Sequence, residues 1–131
     1  MFKYSNSFSG LFLAVAFIPL HSIYKLSHRL SVDRRPLELA LALKKLSNQN
    51  DLVIVYDDGQ PEVLYYSHRK GWHVWDRFSP ESLEEKRTKG AKFFATLFAD
   101  FSNKNLGLEK YLNINYPVAW RGSNASIYDL R

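Results

Sequence analysis

The chain has 131 residues, 46% hydrophobic and 15% aromatic, with no cysteine and a formal charge of +5. That length holds one ordinary domain with a real core, and the composition excludes a disordered chain, a collagen-like repeat and a disulfide scaffold. Without cysteine there is no thiolate catalysis, no Cys-ligated zinc and no CxxC redox pair.

Residues 1–35 carry Lys3, Lys25, Arg29, Arg34 and Arg35 against Asp33, so the first quarter holds +4 and residues 36–131 only +1. A nearly neutral domain offers phosphates little field, and no nucleic acid is expected as a partner. From Phe8 to Tyr24 there is no acid or base other than His21, a run of 17 residues. That is about the shortest stretch that crosses a bilayer, ~17 residues. Three readings fit it. Lys3 followed by an apolar run matches a signal peptide, but His21 to Leu26 lacks the small residues of a cleavage site. As an anchor it would place Tyr24, Lys25, His28 and Arg29 at the interface. It could also be the buried helix of a soluble protein. The expectation taken forward is membrane association through residues 8–26, with residues 1–35 an apolar helix plus basic linker and 36–131 an α/β domain.

Pro36 suits the first turn of a helix, and Leu39, Leu43 and Leu46 give that helix a core-facing stripe. Leu52–Tyr56 is an unbroken, β-branched apolar run, the pattern of a strand covered on both faces. Pro61–Lys70 reads as a short helix closed by Gly71 as a left-handed cap. Trp72–Trp75 alternates as a strand. Ser79-Pro80-Glu81 is a helix start, with a capping hydroxyl, a first-turn proline and an acid at the positive helix end. This helix runs to Lys89 and stops at Gly90. Ala91–Leu97 reads as a strand and Leu106–Leu112 as a helix. Val118–Trp120 and Ile127–Leu130 read as strands about an Arg121–Asn124 loop. The alternation of helix and strand predicts a three-layer α/β sandwich with a mainly parallel sheet that admits an antiparallel C-terminal edge.

Polar and aromatic side chains are densest from Asp57 to Asp76. Asp57 and Asp58 follow a predicted central strand, where open α/β sheets place ligands. Glu62, Tyr65, Tyr66, Arg69, Lys70 and Trp72 come next. Rings can stack on sugar faces and cations can pair with phosphate oxygens. The plainer alternative is that the acids end a strand, the tyrosines pack on the sheet and Arg69-Lys70 serve the helix dipole. His68, His73 and Asp76 lack the spacing of one helical face, so no metal site is expected. No nucleotide-binding glycine motif, nucleophile elbow or calcium loop occurs, and no cofactor is expected.

The segment Asp57-x3-Pro61-Glu62-x-Leu64-Tyr65-Tyr66-Ser67-x-Arg69-Lys70-Gly71-Trp72 resembles the C-terminal extracytoplasmic domain of multi-span membrane glycosyltransferases of the protein-mannosyltransferase and aminoarabinose-transferase type. The resemblance covers residues 36–131, with Phe8–Tyr24 in the place of the last membrane helix. It implies an α/β domain on the periplasmic side of the membrane, although the bases that follow the apolar run would by themselves favour a cytoplasmic one. The family's catalytic acidic loops and its many membrane spans have no counterpart in these residues. The resemblance therefore implies a non-catalytic accessory or recognition domain for a glycan or a polyprenyl-phosphate sugar. Asp57, Glu62, Tyr65, Tyr66, Arg69, Lys70 and Trp72 are the candidate contacts. Two alternatives stay open. One is a small soluble enzyme using Asp57, Asp58, His68 and His73; the other is a structural interaction domain whose aromatic residues are all core.

Overall fold

In the computed structural model, which describes residues 33–57, 61–97 and 105–131, Pro36 sits in the first turn of α1 (Arg35–Leu46). The segment expected to anchor the chain, residues 8–26, and Asp58 lie outside the described residues. Among the described residues no helix is long and apolar enough to cross a membrane. The elements continue as β1 (Leu52–Tyr56), α2 (Glu62–Ser67), β2 (Lys70–Val74), α3 (Pro80–Thr88) and β3 (Ala91–Thr96). They end with α4 (Leu106–Asn115), β4 (Val118–Gly122) and β5 (Ala125–Asp129). Arg34–Arg131 forms one compact unit.

The protein is α/β, with a five-stranded sheet in the order β2-β1-β3-β5-β4. The expected mainly parallel sheet is in fact mixed. The pairings of β1 with β2 and β3 are parallel, and those of β5 with β3 and β4 are antiparallel. The reason lies in the connections. The chain crosses from β3 through α4 to β4, which points the same way as β3 but leaves a gap between them. The two-residue turn Ser123–Asn124 then reverses β5 into that gap, since so short a link can only join antiparallel neighbours. Arg121 and Gly122, expected in the loop, are ladder residues, and Asn124 takes the positive φ of the turn at 60°.

Helices cover both faces of the sheet. Val53 and Val55 of β1, Phe93 and Ala95 of β3, and Ile127 of β5 pack beneath Leu39, Ala40 and Leu43 of α1 and Val63 of α2. The alternate residues Ile54, Tyr56, Phe94 and Tyr128 meet Leu83 of α3 and Leu108 and Leu112 of α4. This period-two division assigns each strand residue to a face. Leu46, expected to complete the α1 stripe, is instead exposed as the last residue of the helix, beside an open groove that it lines with Trp120.

Two details bind the layers. Gly71 is not a helix cap. The left-handed residue after α2 is His68 (φ 52°, ψ 41°), and Gly71 lies inside β2 opposite Val53. A Cβ on Gly71 would stand 1.8 Å from the Val53 carbonyl oxygen, so glycine is required for β2 to reach β1. On the other face, Glu84 of α3 accepts hydrogen bonds from Tyr111 of α4 (3.1 Å), from Tyr116 and from Arg87 (2.7 Å). Burial pushes the Glu84 carboxyl up, yet the bonds from Tyr116, Arg87 and Tyr111 together hold it below the usual carboxylate range. Burial first, then the bond to Glu84, push the Tyr116 hydroxyl up to about 12.

Gly71→Ala should cost about 3 kcal/mol or more, or prevent folding, when measured by chemical denaturation. Glu84→Gln should lower stability by about 1–2 kcal/mol at pH 7. The sign of the pH effect follows from the two shifts. The Glu84 contribution is present above its unfolded pKa of 4.5 and lost as pH falls through the lower folded value. The Tyr116 contribution is complete below pH 10 and lost as pH rises from 10 towards about 12. Denaturation midpoints of parent and Glu84→Gln should therefore converge at both ends of the pH range.

Candidate functional site

β1 leaves the sheet towards α2 on one face, and β3 leaves it towards α4 on the other. The carboxyl ends of β1 and β3 thus flank a switch in connection direction, the position where open α/β sheets form ligand crevices. The residues that gather at this end come from β1, from β2 and the turn after it, and from the start of α4.

Asp57 directly follows β1 and keeps the inward phase of Val53 and Val55, so its side chain is fully buried. A buried carboxylate requires partners. Its backbone N–H donates to the Val74 carbonyl at 3.3 Å, and its Oδ1 pairs with Nε2 of His73 from β2. The His73 side chain is 17% exposed. The Trp75 ring lies 5.3 Å from the imidazole, tilted by 38°, and Trp75 is 59% exposed. The result is a small ledge: a buried acid, an imidazole held edge-on, and an open indole face.

The opposite face of the same strand ends is tied by neutral bonds. The Tyr56 hydroxyl donates to the Asp76 carbonyl at 2.8 Å and accepts from Asn105 Nδ2 at 2.6 Å; Asn105 also donates to the Asp76 carbonyl at 2.7 Å. Burial raises the Tyr56 hydroxyl, with the Asn105 bond opposing and the Asp76 charge adding to it. Asp76 has positive φ (59°), and these bonds hold the turn that presents Trp75. Beside Asn105 lies an open cavity of about 340 Å³ lined by Arg77, Phe78, Ser79 and the first residues of α4.

The residues singled out in the sequence do not form one cluster. Asp57 lies on the ledge, and Glu62 starts α2, the helix that follows the same strand end. Tyr65 (73% exposed) and Tyr66 stand on the outer surface of α2, edge to face with centroids 5.5 Å apart. Lys70 begins β2 at the opposite end of the strand from His73. Trp72 points to the other face, half-buried against the cluster of Ile54 and Phe94.

Arg69 has a structural task. Its Nε donates to Ser47 Oγ (2.8 Å), its Nη2 to the Lys44 and Ser47 carbonyls (3.1 and 2.9 Å), and its Nη1 to the Ser67 and His68 carbonyls (3.2 and 3.3 Å). The planar fork satisfies carbonyls at the ends of both α1 and α2, a use to which a lysine is unsuited. A ligand could recruit this guanidinium only by displacing those bonds.

His68 caps α2, and His73 lies within β2, towards the end far from it. Among the described residues no three His, Asp or Glu side chains converge on a metal position. His73 and Trp75 are absent from the candidate contacts drawn from the sequence, although the alternative enzyme reading names His73 together with Asp57. The alternation of Trp72-His73-Val74-Trp75 does carry the signal, since it puts His73 and Trp75 on one face of an edge strand. No family model, curated protein or solved structure matches the chain.

Arg69→Lys should lower the unfolding free energy by about 1–2 kcal/mol, because the part-buried and exposed carbonyls at the ends of α1 and α2 lose the planar fork that bonds them together. Denaturant titration measures the loss, and restored stability in a variant without the Ser47 hydroxyl would contradict the clamp.

Proposed function

We propose that residues 36–131 are a recognition domain for a sugar-bearing ligand, free or carried on a lipid phosphate, with no chemistry of its own. In this reading the domain is a three-layer α/β sandwich of the kind found at the C-terminus of membrane glycosyltransferases. It is held at the periplasmic side of the membrane by an apolar helix over residues 8–26. The observation that carries the proposal is the Asp57–His73–Trp75 ledge. In the tautomer in which His73 Nε2–H donates to Asp57 Oδ1, Nδ1 is an acceptor for a hydroxyl donor. Among the described residues Nδ1 makes no hydrogen bond. The indole beside it offers a large apolar face of the kind on which the C–H face of a pyranose lies.

Tyr65 and Tyr66 supply a second aromatic surface on α2 for a longer glycan. Their exposure also speaks against a purely structural domain, in which all the aromatic residues would be core. Asp57 and Glu62 act as polar orienters, while Lys70, at the far end of β2, serves a ligand only if it extends along the edge of the sheet.

One observation favours a second reading. A buried aspartate that orients a partly exposed histidine is also the arrangement of a general base. The alternative is therefore a small α/β hydrolase-type enzyme in which His73 takes a proton from water, with Asp57 holding the ring.

The test uses the full chain, a panel of mono- and oligosaccharides and a short-chain polyprenyl-phosphate hexose, read by tryptophan fluorescence. Trp75→Ala and His73→Gln should each weaken binding at least tenfold, about 1.4 kcal/mol, with the unfolding midpoint little changed in Trp75→Ala and lowered in His73→Gln, which disturbs the partner of the buried Asp57. Parental affinity in both variants would sink the recognition site. Turnover of the polyprenyl-phosphate hexose that disappears in His73→Gln would establish the enzyme instead.

A further inference from the structure

We infer that the outer face of α1 lies on an anionic lipid surface. The inference rests on the membrane association proposed above and adds to it a contact made by the folded domain. The core side of α1 is already saturated, since Leu39, Ala40 and Leu43 are completely buried. Yet the solvent side is apolar as well. Leu37 (43% exposed) and Leu41 (49% exposed) stand one turn apart on the same stripe. A globular helix whose core face is complete has no packing reason to expose two leucines in register.

What surrounds those leucines identifies the partner. The exposed charged residues of the helix and its entry are Arg34, Lys44 and Lys45 against Asp33 and Glu38, and the half-buried Arg35 brings the balance to four bases against two acids. Lysine and arginine stems can lie along apolar surface while their charged ends reach anionic headgroups. Beside the stripe, Leu41, Ala42, Leu46 and Trp120 line a groove of about 480 Å³ with Lys45 and Glu38 at its edge. Trp120 is fixed there. A Cβ on Gly122 would stand 2.3 Å from its ring, so the indole packs directly over the backbone of its own strand. Leucine, indole and lysine side by side form the composition of a bilayer interface, where an indole has both apolar and wet surroundings.

Chain connectivity supplies the last element. The apolar run of the sequence ends at Leu26, and residues 27–34 lead into α1. Eight residues reach at most ~29 Å. If residues 8–26 enter the bilayer, α1 starts within that distance of its surface. The local concentration is then high enough for a weak contact to persist.

The full chain has no cysteine, so single cysteines report cleanly. Leu37→Cys, Leu41→Cys and Lys110→Cys, the last on exposed α4 at the other face, would each carry an environment-sensitive fluorophore. The labelled chains are reconstituted into phosphatidylcholine vesicles, with and without phosphatidylglycerol, containing a nitroxide-lipid quencher. In anionic vesicles the labels at 37 and 41 should be blue-shifted and quenched several-fold more than the label at 110. That difference should fall away in phosphatidylcholine alone and in the Lys44→Glu/Lys45→Glu background. Labels at 37 and 41 that behave like 110 while the chain stays on the vesicles overturn the contact and leave membrane association standing. A chain that does not partition onto vesicles overturns both. A concentration-dependent shift without vesicles means that a second copy covers this face, which also overturns the inference.

Discussion

Everything in this domain is organised by the need to keep β1 dry. Val53, Ile54 and Val55 are completely buried, so neither face of the strand and neither edge can meet water. An unpaired backbone amide in that position would lose the stability of a hydrogen bond and gain nothing in return. The strand therefore requires a partner on each side and a helix on each face. β2 and β3 are the partners; α1 and α2 cover one face, and α3 and α4 the other. Gly71 follows from the same demand, because β2 can approach closely enough only where the residue opposite Val53 lacks a side chain.

The candidate site grows out of that constraint. One residue beyond the dry strand, the chain still carries the inward phase, and it carries there a carboxylate, Asp57. A charge that emerges from an apolar core must be paired before it reaches the surface. His73, at the matching end of β2, pairs with it and in doing so is held in one orientation. Trp75 extends the same face outwards past the last ladder bond. The bonds among Tyr56, Asn105 and Asp76 fasten the turn from behind. Reactive or adhesive groups are thus set at the strand ends by the scaffold rather than by the site's own contacts.

Much of the architecture can be seen in local pattern. The unbroken apolar run at 52–56, the Ser79-Pro80-Glu81 helix start and the Leu39/Leu43 spacing each report a nearest-neighbour preference, and each corresponds to an element in place. The errors arise where a local signal has two meanings. Gly71 after a short helix reads as a cap, but the register of β2 against β1 claims it, and His68 accepts the strained conformation instead. Arg69 reads either as a ligand contact near aromatic rings or as a base serving the end of its own helix, and neither reading includes α1. Its real surroundings are carbonyls of α1 and α2, twenty-two to twenty-five residues away in sequence for Ser47 and Lys44. The candidate contacts separate for the same reason, since α2 and β2 are short and the residues between 61 and 74 alternate between opposite faces and opposite ends.

What residue order settles alone is therefore the set of elements, the α/β class and the dense polar stretch between Asp57 and Asp76. These depend on periodicity, capping and turn chemistry, which act over a few residues. Strand order, the reversed β5 in the middle of the sheet, the commitment of Arg69 to helix ends and the meeting of Asp57 with His73 are settled in three dimensions. They depend on which distant surfaces exclude water from one another, and sixteen residues separate that acid from that imidazole. No short-range pattern records such a meeting, because its cause is the burial of a strand that neither residue belongs to alone.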